Sequence, residues 1–240
     1  LGIKATNVPA YSPNSVSEFT VGLAITLTRK INAGIKRVRV QNFGLNGLIG
    51  IELRNLTIGV IGTGRIGFNV IKAFSGFGCN IIAHDIYENK EVEKYATYKT
   101  ADEVYAEADI ITLHVPLFEE NYHMINDETI NKMKDGVIII NAARGGLIDA
   151  EALIRGLKSG KVRAAALDTY ENEVGIFHND HTNSILQDDV LARLLQFPNV
   201  VVTPHYAFYT DEAVSNMVET ALSDLKDFEI SGSAKNEVES

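Results

Sequence analysis

The chain has no tryptophan, one cysteine, five prolines and three methionines in 240 residues. A single cysteine, Cys79, excludes a disulfide framework within the chain and a cysteine-rich metal cluster. It lies in an apolar stretch and reads as a small core residue. No run of ~18 apolar residues is present, which excludes a membrane-spanning helix of ordinary composition. No charged-then-apolar leader is evident either, so a soluble cytoplasmic protein is the expectation. Basic residues are in deficit: 22 Lys and Arg stand against 31 Asp and Glu, a net charge of −9. They form no cluster, which argues against a nucleic-acid footprint. Small anions are not excluded, because one local arginine suffices for them. With 45% hydrophobic residues the chain can bury a substantial core, enough for one large domain or one domain and part of another.

The glycines are informative where they cluster. Thr57–Ile61 reads as a buried strand and runs into Gly62-Thr63-Gly64-Arg65-Ile66-Gly67. After it, Ile66, Val70, Ala73, Phe74 and Phe77 recur at helical spacing. Gly62, Gly64 and Gly67 thus sit at a strand-to-helix turn with the spacing of a dinucleotide-binding fingerprint. There the glycines permit a tight turn, close backbone approach to a pyrophosphate, and close helix–strand packing. The phosphates would meet the free N–H groups of the helix N-terminus. A second strand, Asn80–His84, ends at Asp85, near the ~20-residue spacing at which an acid meets the ribose. A carboxylate there accepts from a 2′-hydroxyl and repels a 2′-phosphate, so the expected cofactor is NAD.

Around this unit the pattern alternates. Ser12 and Pro13 fit the N-cap and first position of a helix reaching about Ile31, apolar enough to be deeply buried. Arg37–Gly50 reads as a connector. Further strands are expected over Asp109–His114, Val137–Asn141, Arg163–Asp168 and Asn199–Thr203, with helices between them, notably Asp149–Lys158. Their cores are continuous apolar runs, as in parallel strands covered on both faces. Six such strands make an α/β, doubly wound parallel sheet. Thr210 to about Phe228 predicts a closing helix with Ala213, Met217, Ala221, Leu225 and Phe228 on one face, and Ser231–Ser240 a polar, frayed tail.

Ligands of such sheets lie beyond the carboxyl ends of the strands. Those ends offer Asp85, His114, Arg144, Asp168, Glu171, Glu173 and His205. Hydride transfer to a 2-keto acid needs a cation that orients the carboxylate and polarises the carbonyl, a task suited to Arg144. It also needs a proton donor in the range of His205, and a carboxylate, Glu173, to favour the imidazolium and hold the ring. Asp168 serves equally as a cap of the following turn. His178, Asp180 and His181 have partial metal-ligand spacing but no third ligand at a suitable interval, so no metal is expected. Tyr206, Phe208 and Tyr209 belong to the core, an interface or a substrate pocket.

Six motifs together resemble the D-2-hydroxyacid dehydrogenase family, nearly end to end. They are Val8-Pro9-Ala10-Tyr11-Ser12-Pro13, Gly62–Gly67, His114-Val115-Pro116-Leu117, Asn141-Ala142-Ala143-Arg144-Gly145, Leu167–Glu173 and Thr203-Pro204-His205. The resemblance implies a Rossmann-type sheet plus the C-terminal remnant of a second, substrate domain. It divides the chain into residues 1–8 (end of the substrate domain), 9–207 (NAD-binding domain) and 208–240 (a helix returning to the substrate domain). It implies that Arg144 binds the substrate, that His205 donates the proton and that Glu173, rather than Glu171, is its partner. It places Gly62, Gly64, Arg65, Ile66, Gly67, Asp85, Val115, Pro116, Asn121, Ala142, Ala143, Arg144 and Asp168 around NAD. Tyr206–Thr210 looks like the D-lactate and D-2-hydroxyisocaproate branch, so the implied reaction is reduction of pyruvate to D-lactate by NADH. The alternatives are larger or aromatic 2-keto acids, or an NAD-sensing, corepressor-like binding protein that keeps the same residues. A homodimer is implied, with a small 2-keto or 2-hydroxy acid as the other partner and neither nucleic acid nor membrane. Family members also carry an N-terminal segment of about 90 residues, the size of a small domain. Leu1–Asn7 begins as though a strand were under way, so that segment is expected to be missing and the chain to bind NAD with weak or no turnover.

Overall fold

The computed structural model describes residues 4–9 and 11–238. Leu1–Ile3 of the expected opening strand, Ala10 of the first motif, and Glu239 and Ser240 of the tail lie outside the described residues.

Seven parallel strands form one sheet in the order β3-β2-β1-β4-β5-β6-β7. They are β1 (Thr57–Ile61), β2 (Asn80–His84), β3 (Thr97–Tyr98), β4 (Ile110–Leu113), β5 (Val137–Asn141), β6 (Val162–Leu167) and β7 (Val200–Val202). The helices are α1 (Pro13–Thr28), α2 (Ile31–Arg39), α3 (Arg65–Ser75), α4 (Ala101–Glu107), α5 (Asp127–Lys132), α6 (Ala150–Ser159), α7 (Asp189–Gln196) and α8 (Asp211–Ser231). This is the expected doubly wound α/β architecture, with one strand more than the six predicted. The extra strand, β3, is a two-residue edge pairing of Thr97 and Tyr98 with Ile82 and Ala83, too short to show a period of its own.

The central strands bury both faces because their side chains alternate between two cores. From β5, Val137 and Ile139 enter a core shared with α4–α7, including Val104, Leu153 and Leu194. Ile138 and Ile140 enter the opposite core with Leu27 of α1 and Val70 and Phe74 of α3. Phe74 is wholly buried; truncating such a ring to alanine costs about 3–5 kcal/mol. Six of the eight helices start on a side-chain cap: Ser12, Thr100, Asn126, Asp149, Asp188 and Thr210 each accept from the backbone N–H three residues on. α3 has no side-chain cap, for a reason that belongs to the site.

Two expectations are corrected. The connector read over Arg37–Gly50 begins inside a helix: Ile31, Ile35 and Val38 at helical spacing continue α2 to Arg39. The polar tail is not frayed over its described part. After Gly232 turns the chain at φ +74°, Thr6 bridges Glu237 antiparallel and the Val238 N–H donates to the Ala5 carbonyl at 2.9 Å. Backbone pairing, which polar side chains do not advertise, holds this segment. On α8, Ala213 is buried and Met217 and Phe228 are half-buried, while Leu225 is 64% exposed. Among the described residues, no helix is long and apolar enough to cross a membrane.

Candidate active site

The strand order reverses between β1 and β4, which leaves a crevice beyond their carboxyl ends. The glycine loop forms one wall. Gly62 sits at φ +93°, and a Cβ on Gly67 would lie 1.9 Å from the Gly62 carbonyl oxygen, so helix and turn pack too closely for any side chain there. Gly64 differs: a Cβ there would meet nothing within 4 Å. Its uncapped position leaves the first N–H groups of α3 to an outside acceptor, the arrangement that receives a pyrophosphate. Asp85 closes the loop from β2. One carboxylate oxygen accepts from the Thr63 N–H (2.6 Å) and Oγ1 (3.0 Å), the other from the Tyr87 N–H (3.0 Å). The loop, the open α3 terminus and the acid together fit a dinucleotide.

Beside the loop, a cleft of about 210 Å³ brings together Ile66, Val115, Pro116, Ala142, Ala143, Arg144, Asp168 and His205, with Tyr11, His114 and Phe208. Gly64 and Arg65 line an adjoining hollow. Asp85, Asn121 and Glu173 stand outside both linings. Asn121 is turned into its own loop, donating to the Pro116 carbonyl (2.8 Å) and accepting from the Phe118 N–H (2.8 Å).

Arg144 projects from a turn that Asn141 shapes from below, donating to the Arg144 carbonyl and accepting from the Ala143 N–H. The turn requires glycine next, since a Cβ on Gly145 would fall 2.1 Å from the Tyr170 carbonyl carbon. Among the described residues the Arg144 guanidinium has no carboxylate partner and donates to the Ala143 carbonyl. It is an exposed cation beside the cleft, open to a ligand carboxylate.

His205 follows β7 through Thr203 and Pro204 and adopts φ +53°, a conformation costing on the order of 1–3 kcal/mol for a residue with a Cβ. Asp168, fully buried at the end of β6, accepts from Thr203 Oγ1 (2.6 Å) and from the Tyr206 (3.1 Å) and Ala207 (3.0 Å) N–H groups. Its side chain thus anchors the turn that carries the histidine. Nδ1 of His205 donates to Glu173 Oε1 at 2.7 Å, and Nε2 has no partner among the described residues. The other Glu173 oxygen accepts from the Tyr170 N–H at 2.9 Å. The Glu173 hydrogen bond, as the largest influence, raises the His205 pKa against burial and the Arg144 charge. Burial would raise the Glu173 pKa, but the bonds from His205 and Tyr170 outweigh it and hold the carboxyl below its ordinary range. His114, bonded to Thr112 Oγ1 with no carboxylate at hand, is held neutral by burial.

Reasoning from sequence missed two things here. Glu171, the near neighbour of Glu173, pairs instead with His123 Nε2 (2.7 Å) and accepts from the Ala150 N–H at the start of α6 (3.2 Å). Nothing in the spacing of Glu171 and Glu173 separates these roles. Tyr11, on the segment leading into α1, also faces the cleft; its signal was the motif itself. Among the described residues no three His, Cys, Asp or Glu side chains could hold a metal. His181 is turned to the Gly175 carbonyl and Ser184 Oγ.

A parallel sheet with this glycine loop and an acid at the end of β2 defines a dinucleotide-binding protein of the Rossmann class. Residues 21–207 match the family described as D-isomer specific 2-hydroxyacid dehydrogenase, NAD binding domain. The chain belongs to that family. It is 67% identical to an aromatic 2-oxoacid reductase of Clostridium sporogenes, over 98% of this chain and 72% of that protein. It is 48% identical to a D-lactate dehydrogenase of Lactiplantibacillus plantarum, over 99% of this chain and 72% of that one. The fold superposes with a TM-score of 0.87 on the NAD-complexed form of a D-isomer specific 2-hydroxyacid dehydrogenase from Lactobacillus delbrueckii ssp. bulgaricus, at 38% identity, covering 99% of this chain and 72% of that structure. The cofactor is NAD.

Proposed function

We propose that this cleft reduces 2-oxo acids to D-2-hydroxy acids, with aromatic 2-oxo acids such as phenylpyruvate as the preferred class. The observation that carries the reading is the placement of Arg144, His205 and the aromatic rings of Tyr11 and Phe208 around one cleft. Bound NADH supplies the hydride. Arg144 binds the substrate carboxylate in a forked, charge-assisted pair and polarises the adjacent carbonyl. His205 holds the transferable proton at Nε2, while Glu173 fixes its tautomer and supports the charged ring. Asp85 and the Gly62–Gly67 loop hold the dinucleotide, and Ile66, Val115, Pro116, Ala142 and Ala143 wall it.

The aromatic preference rests on Tyr11 and Phe208, packed edge to face at 5.8 Å, a surface suited to a further ring. The 67% identity to the clostridial reductase supports the same choice. Pyruvate is the second reading, favoured by the Tyr206–Thr210 segment and the 48% identity to the D-lactate dehydrogenase. NADH oxidation with phenylpyruvate, 4-methyl-2-oxopentanoate and pyruvate in parallel separates them. The aromatic reading predicts kcat/KM at least about tenfold higher for phenylpyruvate than for pyruvate; the reverse order assigns pyruvate.

The domain division belongs to the same proposal. Pairing of the Ala5–Asn7 segment with Asn236–Val238 supports grouping residues 1–8 with 208–240 apart from 9–207. We propose a homodimer as well. Phe43, Leu45 and Ile49 are 73%, 80% and 85% exposed on one arm after α2, an apolar surface of the kind that a second copy covers.

A further inference from the structure

His178 plays no part in the reaction as drawn above. It lies on the long connection between β6 and α7, itself at φ +63°, with its ring centroid 6.1 Å from that of His205. Its Nε2 is 3.0 Å from the backbone carbonyl oxygen of His205. A carbonyl oxygen only accepts, so this contact requires His178 to carry a proton on Nε2.

The turn holding His205 is tied down group by group. The His205 N–H donates to the Thr203 carbonyl at 2.9 Å, closing the turn about Pro204. The next two N–H groups go to Asp168 and the ring goes to Glu173. The carbonyl of His205 is the remaining polar group of this residue's backbone, and His178 takes it. The charged and titratable groups facing His205 are therefore Glu173 and His178 from one connection, Asp168 from β6 and Arg144 from the turn after β5.

We propose that His178 is a positioning residue. Its Nε2–H holds the carbonyl of His205, and with it the left-handed backbone that lets the ring reach Glu173 and the cleft together. Glu173 and His178 sit five positions apart on the same connection, so this one segment fixes His205 at both backbone and ring. The inference rests on His205 being the proton donor.

The test titrates the histidine Cε1–H resonances of the 240-residue chain by NMR, in the unsubstituted protein, His178→Ala and His178→Gln. NADH-dependent reduction of phenylpyruvate is followed for the same proteins and for His205→Ala. The glutamine amide offers a donor close to the position of Nε2. With His178→Ala, the His205 pKa should drop by about half a unit or more, and kcat should fall about tenfold with KM within about twofold. His178→Gln should restore both. If His205 titrates unchanged in His178→Ala, or if His178→Gln restores neither quantity, the inference is overturned. Undiminished reduction by His205→Ala would instead remove the proton-donor reading, and the NMR titration would still report whether His178 holds the ring in place.

Discussion

His205 carries the pH dependence of the site. Its pKa is raised by Glu173, so its contribution to stability is complete below the ordinary histidine value and is lost as pH rises through the folded one. Glu173 has a lowered pKa, so its contribution is present above the ordinary carboxylate value and is lost as pH falls through the folded one. The charged pair therefore contributes most between those limits. Reduction needs the protonated imidazole, so its rate should decline as pH rises through the raised value; the reverse oxidation should decline as pH falls through it. Glu173→Gln should move both limbs to lower pH and cut kcat about 10²-fold, and an unshifted profile would remove Glu173 from its role. Arg144→Lys keeps the charge but loses the planar fork. It should cost about 100-fold in kcat/KM, equivalent to ~2.7 kcal/mol, with NADH affinity unchanged. An equal loss in NADH binding would place Arg144 at the cofactor instead. At this scale the sequence showed the residue types, since an arginine, a histidine and acids at strand ends suit this chemistry. The spacing did not separate Glu173, which reaches His205, from Glu171, which reaches His123; only the family resemblance singled out Glu173. That choice depends on how the loop after β6 turns, which two acids two positions apart do not reveal.

Among elements, the β1–α3 turn separates folding from binding. Gly67→Ala would drive a Cβ into the Gly62 carbonyl and should destabilise the fold by about 3 kcal/mol. At Gly64 the space is open, so Gly64→Ala should leave the melting temperature nearly unchanged while weakening NADH about tenfold or more. Calorimetry of each variant, with and without NADH, distinguishes the two; equal loss of stability in both would contradict this division. Asp168→Ala strips two backbone N–H groups and the Thr203 hydroxyl of their acceptor, and should cost about 2–3 kcal/mol in urea unfolding. Strands β1, β2 and β5 were legible to the residue because continuous apolar runs end at Gly62, Asp85 and Asn141. β3 was not, being two residues on a sheet edge held mainly by backbone pairing. α2 was not read as a separate helix, because the glycine-rich stretch after it obscured the helical spacing of Ile31, Ile35 and Val38.

The whole molecule is a two-faced sheet whose cleft opens at the β1–β4 switch, with its terminal segments paired to each other. That pairing was the least legible feature, since it joins residues more than two hundred positions apart through backbone groups. The proposed dimer is tested at this scale. Phe43→Glu with Leu45→Glu should convert a dimer to a monomer in light scattering at unchanged helix content; a wild-type monomer would contradict it. The most direct test of the account is reduction of phenylpyruvate by NADH, with the configuration of the product determined, for the unsubstituted protein and His205→Ala. The account predicts D-phenyllactate from the first and at least about 10³-fold slower formation from the second. Formation of L-phenyllactate, or undiminished reduction by His205→Ala, would contradict it.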